Sequence, residues 1–135
     1  MRLLCPRPAL LALLMSLLLI SCGTHGQQED RGYRVQVGDP VPSFELTDLE
    51  GRTWSNVELK GTVYILQFTA SWCSVCRKEM PHLEERVWQR FQGDGLQLLG
   101  VDLDEPAKKV QGLVEATGVT YPVCLDPGGT LFANI

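Results

Sequence analysis

Two cysteines, Cys73 and Cys76, stand at the junction of a strand-like segment and a helix-like segment. Residues 62–69 are almost continuously apolar and rich in β-forming side chains, which predicts a central strand covered on both faces. From Cys76 onward the apolar side chains recur at helical spacing and predict one buried stripe: Met80, Leu83, Val87 and Phe91. Cys73 at the start of that helix meets unpaired backbone N–H groups and the positive end of the helix dipole, which favour a thiolate.

This placement predicts a division of labour between the two sulfurs. Cys73 is expected to attack a disulfide from the exposed helix start, and Cys76 to resolve the mixed disulfide from the buried stripe. A static disulfide is an alternative, although an i, i+3 pair ties down almost no loop. Half of a zinc site is another, but zinc needs about four ligands. We predict no metal site, because the remaining candidates contain no second closely spaced pair: Cys124, His25 and His82.

The N-terminus is predicted to be an export signal spanning residues 1–21. Arg2 and Arg7 form a positive start, residues 10–20 are apolar apart from one serine, and small or polar residues follow. The apolar run is short for a bilayer span of about 20 residues, although an uncleaved N-terminal anchor is an alternative. We therefore expect the folded part of the chain to leave the cytoplasm.

Residues 19–22 (Leu-Ile-Ser-Cys) resemble the bacterial lipoprotein signal, in which the cysteine becomes the lipidated first residue. The resemblance implies lipidation at Cys22 and tethering to a membrane surface, in the periplasm or on the outer cell surface. Ordinary cleavage after Gly23 is the alternative. The polar residues 22–34 are then a linker, and residues 35–135 form the domain.

Charge and cysteine count narrow the class of protein. The net charge is −4 for the whole chain and becomes −6 without Arg2 and Arg7, which argues against nucleic acid as a partner. With Cys22 lipidated, three thiols remain, an odd number that does not fit a disulfide scaffold. Cys124 follows Pro122 in an apolar segment and is expected to be a buried, inert thiol.

Strand and helix signals alternate along the domain. Residues 44–47 and 52–54 predict a hairpin, residues 96–101 and 121–125 predict two further strands, and residues 105–116 predict a helix capped by Asp104 and closed by Gly118. This alternation indicates an α/β sandwich with parallel pairing in its centre.

The sequence from the strand through Trp72-Cys73-Ser74-Val75-Cys76 to the helix containing Pro81 resembles the thioredoxin superfamily. Within it, residues 38–44 (Gly-Asp-Pro-Val-Pro-Ser-Phe) and 76–81 (Cys-Arg-Lys-Glu-Met-Pro) are most similar to exported thiol:disulfide oxidoreductases of the TlpA and ResA type. The resemblance implies a three-layer sandwich with a mixed central sheet and a redox-active disulfide. It also implies no cofactor, clients that are disulfide- or dithiol-containing exported proteins, and a membrane redox partner.

The resemblance also bears on proton transfer. Thioredoxin carries a buried aspartate six residues before its first cysteine, where this chain has Gln67. ResA-like proteins instead have a glutamate three residues after the second cysteine, which implies Glu79 as the acid/base here. A solvated helix charge is the alternative for Glu79. Trp72 is expected to shield the sulfurs and to offer an apolar edge to a substrate chain, or else to be core.

Family members continue with a cis-proline loop, two more strands and a closing helix. The sequence reaches Ile135 without them, so we expect an incomplete domain that lacks the C-terminal strands and helix, and an inactive truncated domain is one alternative. A thiol peroxidase of peroxiredoxin type is a second, but Ala70 stands where peroxiredoxins place threonine. A non-enzymatic copper-binding module of the Sco type is a third, which would need a histidine after His82.

Overall fold

The computed structural model describes Gly32 and residues 34–135. Residues 1–21 and Cys22 therefore lie outside the described part of the chain, and the export signal and lipidation stay predictions. The strands are β1 (Glu45–Asp48), β2 (Thr53–Ser55), β3 (Tyr64–Thr69), β4 (Gln97–Leu103) and β5 (Val123–Asp126). The helices are α1 (Ser74–Leu83), α2 (Gln89–Phe91) and α3 (Ala107–Thr117), with a π-helical turn at Glu84–Trp88 and 3₁₀ turns at Gln92–Asp94, Pro127–Gly129 and Phe132–Asn134. No helix among the described residues is long and apolar enough to cross a bilayer.

The five strands form one mixed sheet in the order β2-β1-β5-β4-β3. β4 pairs in parallel with β3 and β5, whereas β1 runs antiparallel to β2 and β5. The expected α/β class with parallel pairing is thus confirmed. The prediction that β3 is a central strand is wrong, because β3 lies at the sheet edge. An apolar run reports that both faces of a strand are covered, not how many neighbours it pairs with.

Each face of the sheet packs against its own apolar cluster. On one face α1 and α3 contribute Met80, Val110 and Leu113, which pack with Leu98 and Val123 from the strands in what we call the helical cluster. The opposite cluster combines strand residues with side chains from the hairpin, loops and C-terminal turns: Phe44, Leu46, Trp54, Leu59, Leu99, Val101, Cys124 and Leu131. Both faces of β3 are therefore covered, as its apolar sequence requires.

The helix after the cysteines departs from the predicted stripe. Pro81 inside α1 lacks an N–H, and the chain passes into the π-helical turn at Glu84–Trp88. Because a π turn takes up extra residues, it rotates the side chains that follow it around the helix axis. Trp88 consequently packs against the helical cluster, whereas Phe91 is 45% exposed. The stripe prediction holds for Met80 and fails for Phe91.

The helix α3 begins later than predicted. Its N-cap is Pro106, and Asp104 instead adopts φ 52° and accepts the backbone N–H of Gly128 at 2.7 Å. Asp104 is therefore not the cap of this helix. Gly118 ends α3 with φ 69°, a left-handed conformation that suits glycine, and this end matches the prediction.

Candidate active site

A disulfide joins Cys73 and Cys76 at the start of α1, with their Cα atoms 5.3 Å apart. Cys73 is the N-cap of the helix, and its sulfur accepts the backbone N–H of Cys76 at 3.2 Å. The turn before it is closed by a hydrogen bond from the Cys73 N–H to the Ala70 carbonyl. A sulfur held this way gains charge stabilisation from the helix start when it is reduced to a thiolate.

Both cysteines are half-buried. Cys76 is less shielded than the stripe predicted, because Met80, one turn further along α1, takes the fully buried position. The Cys76 sulfur lies 3.9 Å from the carbonyl oxygen of Phe68 at the end of β3. In the reduced protein that carbonyl can accept a weak hydrogen bond from the Cys76 thiol.

An apolar cavity of about 160 Å³ opens beside the disulfide. It is lined by both sulfur-bearing residues and by Phe68, Thr69, Ala70, Trp72, Leu103 and Phe132. Trp72 is 71% exposed, so its indole is a surface feature rather than core. Phe132 from the C-terminal turn packs edge-to-face against Phe68, with ring centroids 5.6 Å apart. The disulfide thus lies beside exposed apolar surface.

Glu79 lies on the exposed side of α1, and the hydrogen bonds described at the two sulfurs involve the Cys76 N–H and the Phe68 carbonyl rather than its carboxylate. Its negative charge does reach Tyr121, whose pKa is raised mainly by burial and further by Glu84 and Glu79. The Tyr121 hydroxyl donates to the Gln67 side chain at 2.8 Å. Gln67 is therefore a buried, uncharged hydrogen-bond partner in the strand that leads to the cysteines.

Sequence reasoning missed a pair of carboxylates, Asp102 and Glu105, beside the active-site loop, which is formed by residues 70–73 between β3 and α1. Glu105 accepts both the backbone N–H of Ser71, at 2.5 Å, and the Ser71 hydroxyl, at 2.7 Å. Burial opposes ionisation of Glu105, but these bonds and nearby Lys109 outweigh it and lower its pKa. Asp102 is fully buried in β4, and burial, followed by the charge of Glu105, raises its pKa to about 6. An aspartate inside an otherwise apolar strand was the available signal.

The remaining candidate residues lie away from the disulfide. Cys124 is a buried free thiol, as expected, and burial together with the charge of Asp48 raises its pKa to about 12. His82 is exposed on α1. Within residues 34–135 no group of three or more His, Cys, Asp or Glu side chains is arranged to hold a metal ion.

Comparison with known proteins points to one family. The profile of the AhpC/TSA family matches residues 37–135. The thiol-disulfide oxidoreductase ResA of Bacillus thuringiensis subsp. konkukian is 32% identical over 120 residues, which cover 85% of this chain and 69% of the relative.

Solved structures agree with this result. A proposed protein disulfide isomerase from Bacteroides thetaiotaomicron superposes with a TM-score of 0.73 at 46% identity, covering 76% of this chain and 65% of the other. A thiol:disulfide interchange protein of the thioredoxin family from Chlorobium tepidum gives a TM-score of 0.60 at 31% identity, with 70% and 64% covered. The fold is therefore thioredoxin-like.

Proposed function

Because the chain belongs to the AhpC/TSA family and is a thioredoxin-like thiol-disulfide oxidoreductase, we propose that it exchanges disulfides with exported proteins through Cys73 and Cys76. The observation that carries this proposal is the half-buried disulfide at the start of α1, beside exposed Trp72 and an apolar cavity. A protein client fits this surface because apolar surface beside the sulfurs can bind a polypeptide segment on either side of a disulfide.

The exchange proceeds in two balanced steps. The Cys73 thiolate attacks one sulfur of the client disulfide, forms a mixed disulfide and releases the other client sulfur as a thiolate. Cys76 then loses its proton and attacks the Cys73 sulfur, which forms the intramolecular disulfide and releases the second client thiolate. Two electrons pass to the client, and the reverse sequence oxidises a client dithiol. A membrane-bound dithiol or disulfide partner is proposed to restore the starting state.

Glu79 is proposed as the acid/base for this exchange. Its place in α1, three residues after Cys76, puts it on the neighbouring helix face, and its exposure lets it pass protons to water. Cysteine alkylation measured against pH in Glu79→Gln should show a displaced thiol titration. Lys78→Gln, an exposed neighbour, is the matched control. An unchanged titration in Glu79→Gln would assign Glu79 to the solvated surface.

The N-terminal segment supports a location outside the cytoplasm. We propose that residues 1–21 are removed on export and that Cys22 is lipidated, so that residues 22–34 link the domain to a membrane surface. Labelled palmitate supplied to bacteria expressing the whole chain should be incorporated. Cys22→Ala should abolish the label, whereas Cys5→Ala should retain it. Label that survives in Cys22→Ala would overturn the lipidation site.

Trapping the mixed disulfide tests the exchange directly. Reduced Cys76→Ser should accumulate a covalent complex with disulfide-bonded insulin, because the resolving sulfur is gone, and Cys73→Ser should not. Cys124→Ala should exchange normally. If reduced protein consumes hydrogen peroxide rapidly yet leaves insulin disulfides intact, the peroxidase alternative is correct instead. Tight Cu(I) binding without any disulfide exchange would favour the copper-binding alternative.

A further inference from the structure

Asp102 is a buried carboxyl group whose burial does not evidently stabilise the fold. Its side chain is fully buried in β4, and among the described residues neither carboxylate oxygen makes a hydrogen bond of good geometry, although the backbone N–H and the carboxyl group of Glu105 lie near it. A buried carboxylate without hydrogen bonds is costly, because it has lost its hydration and gained nothing in exchange. Such a group calls for an explanation other than stability.

The strand register places Asp102 beside the end of β3 that leads to the cysteines. Its cross-strand partner on β3 is Thr69, whose hydroxyl contacts the Met80 sulfur under α1 at 3.6 Å. Thr69 and the next residue on β4, Leu103, both line the cavity that contains Cys73 and Cys76. Asp102 therefore lies on a strand that contributes to the cavity wall, one residue before Leu103.

Few charges face Asp102. Its partners on β3 and β5, Thr69 and Leu125, are uncharged, and α1 and α3 cover this face with Met80 and Val110. The ionisable groups nearby are Glu105, whose charge adds to burial in raising the Asp102 pKa, and Lys109, whose Nζ lies 3.8 Å from Glu105. Asp104 is exposed and bonded to the Gly128 N–H.

Glu105 connects Asp102 to the active-site loop. The Glu105 side chain is only 6% exposed, and its carboxylate holds both the N–H and the hydroxyl of Ser71, two residues before Cys73. A protonated Asp102 can donate to Glu105 and leave it free to anchor Ser71. An ionised Asp102 instead repels Glu105 and adds a negative charge beside the active-site loop.

We propose that Asp102 is a positioning residue for disulfide exchange, which acts through Glu105 and Ser71 and makes the Cys73 thiolate harder to form when Asp102 is ionised. The inference rests on the proposed role of Cys73 as the attacking thiol. While Asp102 is protonated, Glu105 anchors Ser71 firmly and Cys73 ionises readily. Once Asp102 is ionised, its negative charge raises the pKa of the Cys73 thiol. The reduced form of the protein is then less stabilised, so the disulfide becomes a weaker oxidant.

The test is the rate of Cys73 alkylation by iodoacetamide in the reduced protein, followed from pH 4.5 to 8. In the unmodified chain the logarithm of the rate should rise less steeply than one unit per pH unit near pH 6, where Asp102 ionises. Asp102→Asn should restore the full slope and raise the rate at pH 7 roughly three- to tenfold, the effect of a thiol pKa lowered by about 0.5 to 1. Its disulfide should also be more oxidising against glutathione.

Two further variants complete the design. Glu105→Gln keeps a hydrogen-bonding side chain but removes a charge that raises the Asp102 pKa. The pH range in which the logarithm of the rate rises less steeply, the shallow region, should therefore move to lower pH. Asp104→Asn is the matched control, an exposed aspartate two residues away, and should behave like the unmodified chain. Near-ultraviolet circular dichroism establishes that each variant is folded.

The outcomes separate the two proposals. Superimposable alkylation profiles and equal potentials for Asp102→Asn and the unmodified chain, in a protein that reduces insulin, would overturn the role of Asp102 alone. Absence of insulin reduction at every pH would overturn the proposed function. If Asp102→Asn unfolds, Glu105→Gln decides, since an unmoved shallow region in that variant contradicts the proposed connection.

Discussion

The sulfur of Cys73 accepts the backbone N–H of Cys76 at 3.2 Å, so one atom both caps α1 and forms half of the disulfide. The cap satisfies an N–H that a helix start otherwise leaves unpaired. Reactivity and helix stability are therefore coupled at a single side chain, and substitutions can separate them.

Replacing Cys73 by serine or alanine separates capping from redox chemistry. Both variants should lose disulfide exchange, but serine keeps an acceptor at the N-cap and alanine does not. We expect Cys73→Ala to be less stable than Cys73→Ser by about 1 kcal/mol. Urea unfolding of both variants in reductant measures the difference. Equal midpoints would show that the cap contributes nothing to stability.

Trp72 is expected to serve client binding rather than folding, because its side chain is 71% exposed beside the cavity. Trp72→Ala should slow exchange with insulin roughly fivefold or more and leave exchange with glutathione disulfide almost unchanged, as loss of an aromatic contact residue implies. Val75→Ala removes an equally exposed side chain that does not line the cavity. Equal slowing by both variants would deny Trp72 a specific role.

Asp102 should make stability fall as the pH rises. Its pKa is raised from 3.8 to about 6 in the folded protein, so the folded state holds the proton more tightly than the unfolded state. The contribution of protonated Asp102 to the free energy of unfolding is complete below about pH 4. It is lost as the pH rises through 6, which lowers that free energy by about 3 kcal/mol in total. Guanidinium unfolding from pH 4 to 7.5 should show this decline, and Asp102→Asn should lack it. A parallel decline in both proteins would contradict the assignment.

A side chain at Gly100 is expected to overpack the core. A Cβ there would lie 3.1 Å from Val123 Cγ2 and 3.4 Å from Tyr121 Cε2, inside the helical cluster. Gly100→Ala should lower the free energy of unfolding by about 1 to 3 kcal/mol through overpacking. Gly112→Ala, in exposed open space on α3, should raise it by up to about 1 kcal/mol. Calorimetry of the two variants compares them, and matching shifts of either sign would refute the packing argument.

The local signals of the sequence were mostly sufficient for the elements. The hairpin of β1 and β2 follows from two alternating runs around a turn, and β4 and β5 follow from short apolar segments. The edge position of β3 does not follow from its sequence, because periodicity reports which faces are buried and says nothing of lateral pairing. The π-helical turn after Pro81 was missed for a related reason, since an inserted residue changes which side chains face the core only after the chain is packed.

The sequence by itself determined the pair of sulfurs, their place at a helix start and the family, because these depend on residues close together in the chain. Only the tertiary structure brought Asp102 and Glu105, about 30 residues further on, beside the active-site loop. That approach depends on parallel pairing of β3 with β4, because parallel strands have their carboxyl ends at the same end of the sheet. Burial and charge at that end of the sheet, which no local pattern encodes, then decide how the carboxylates act on the sulfurs.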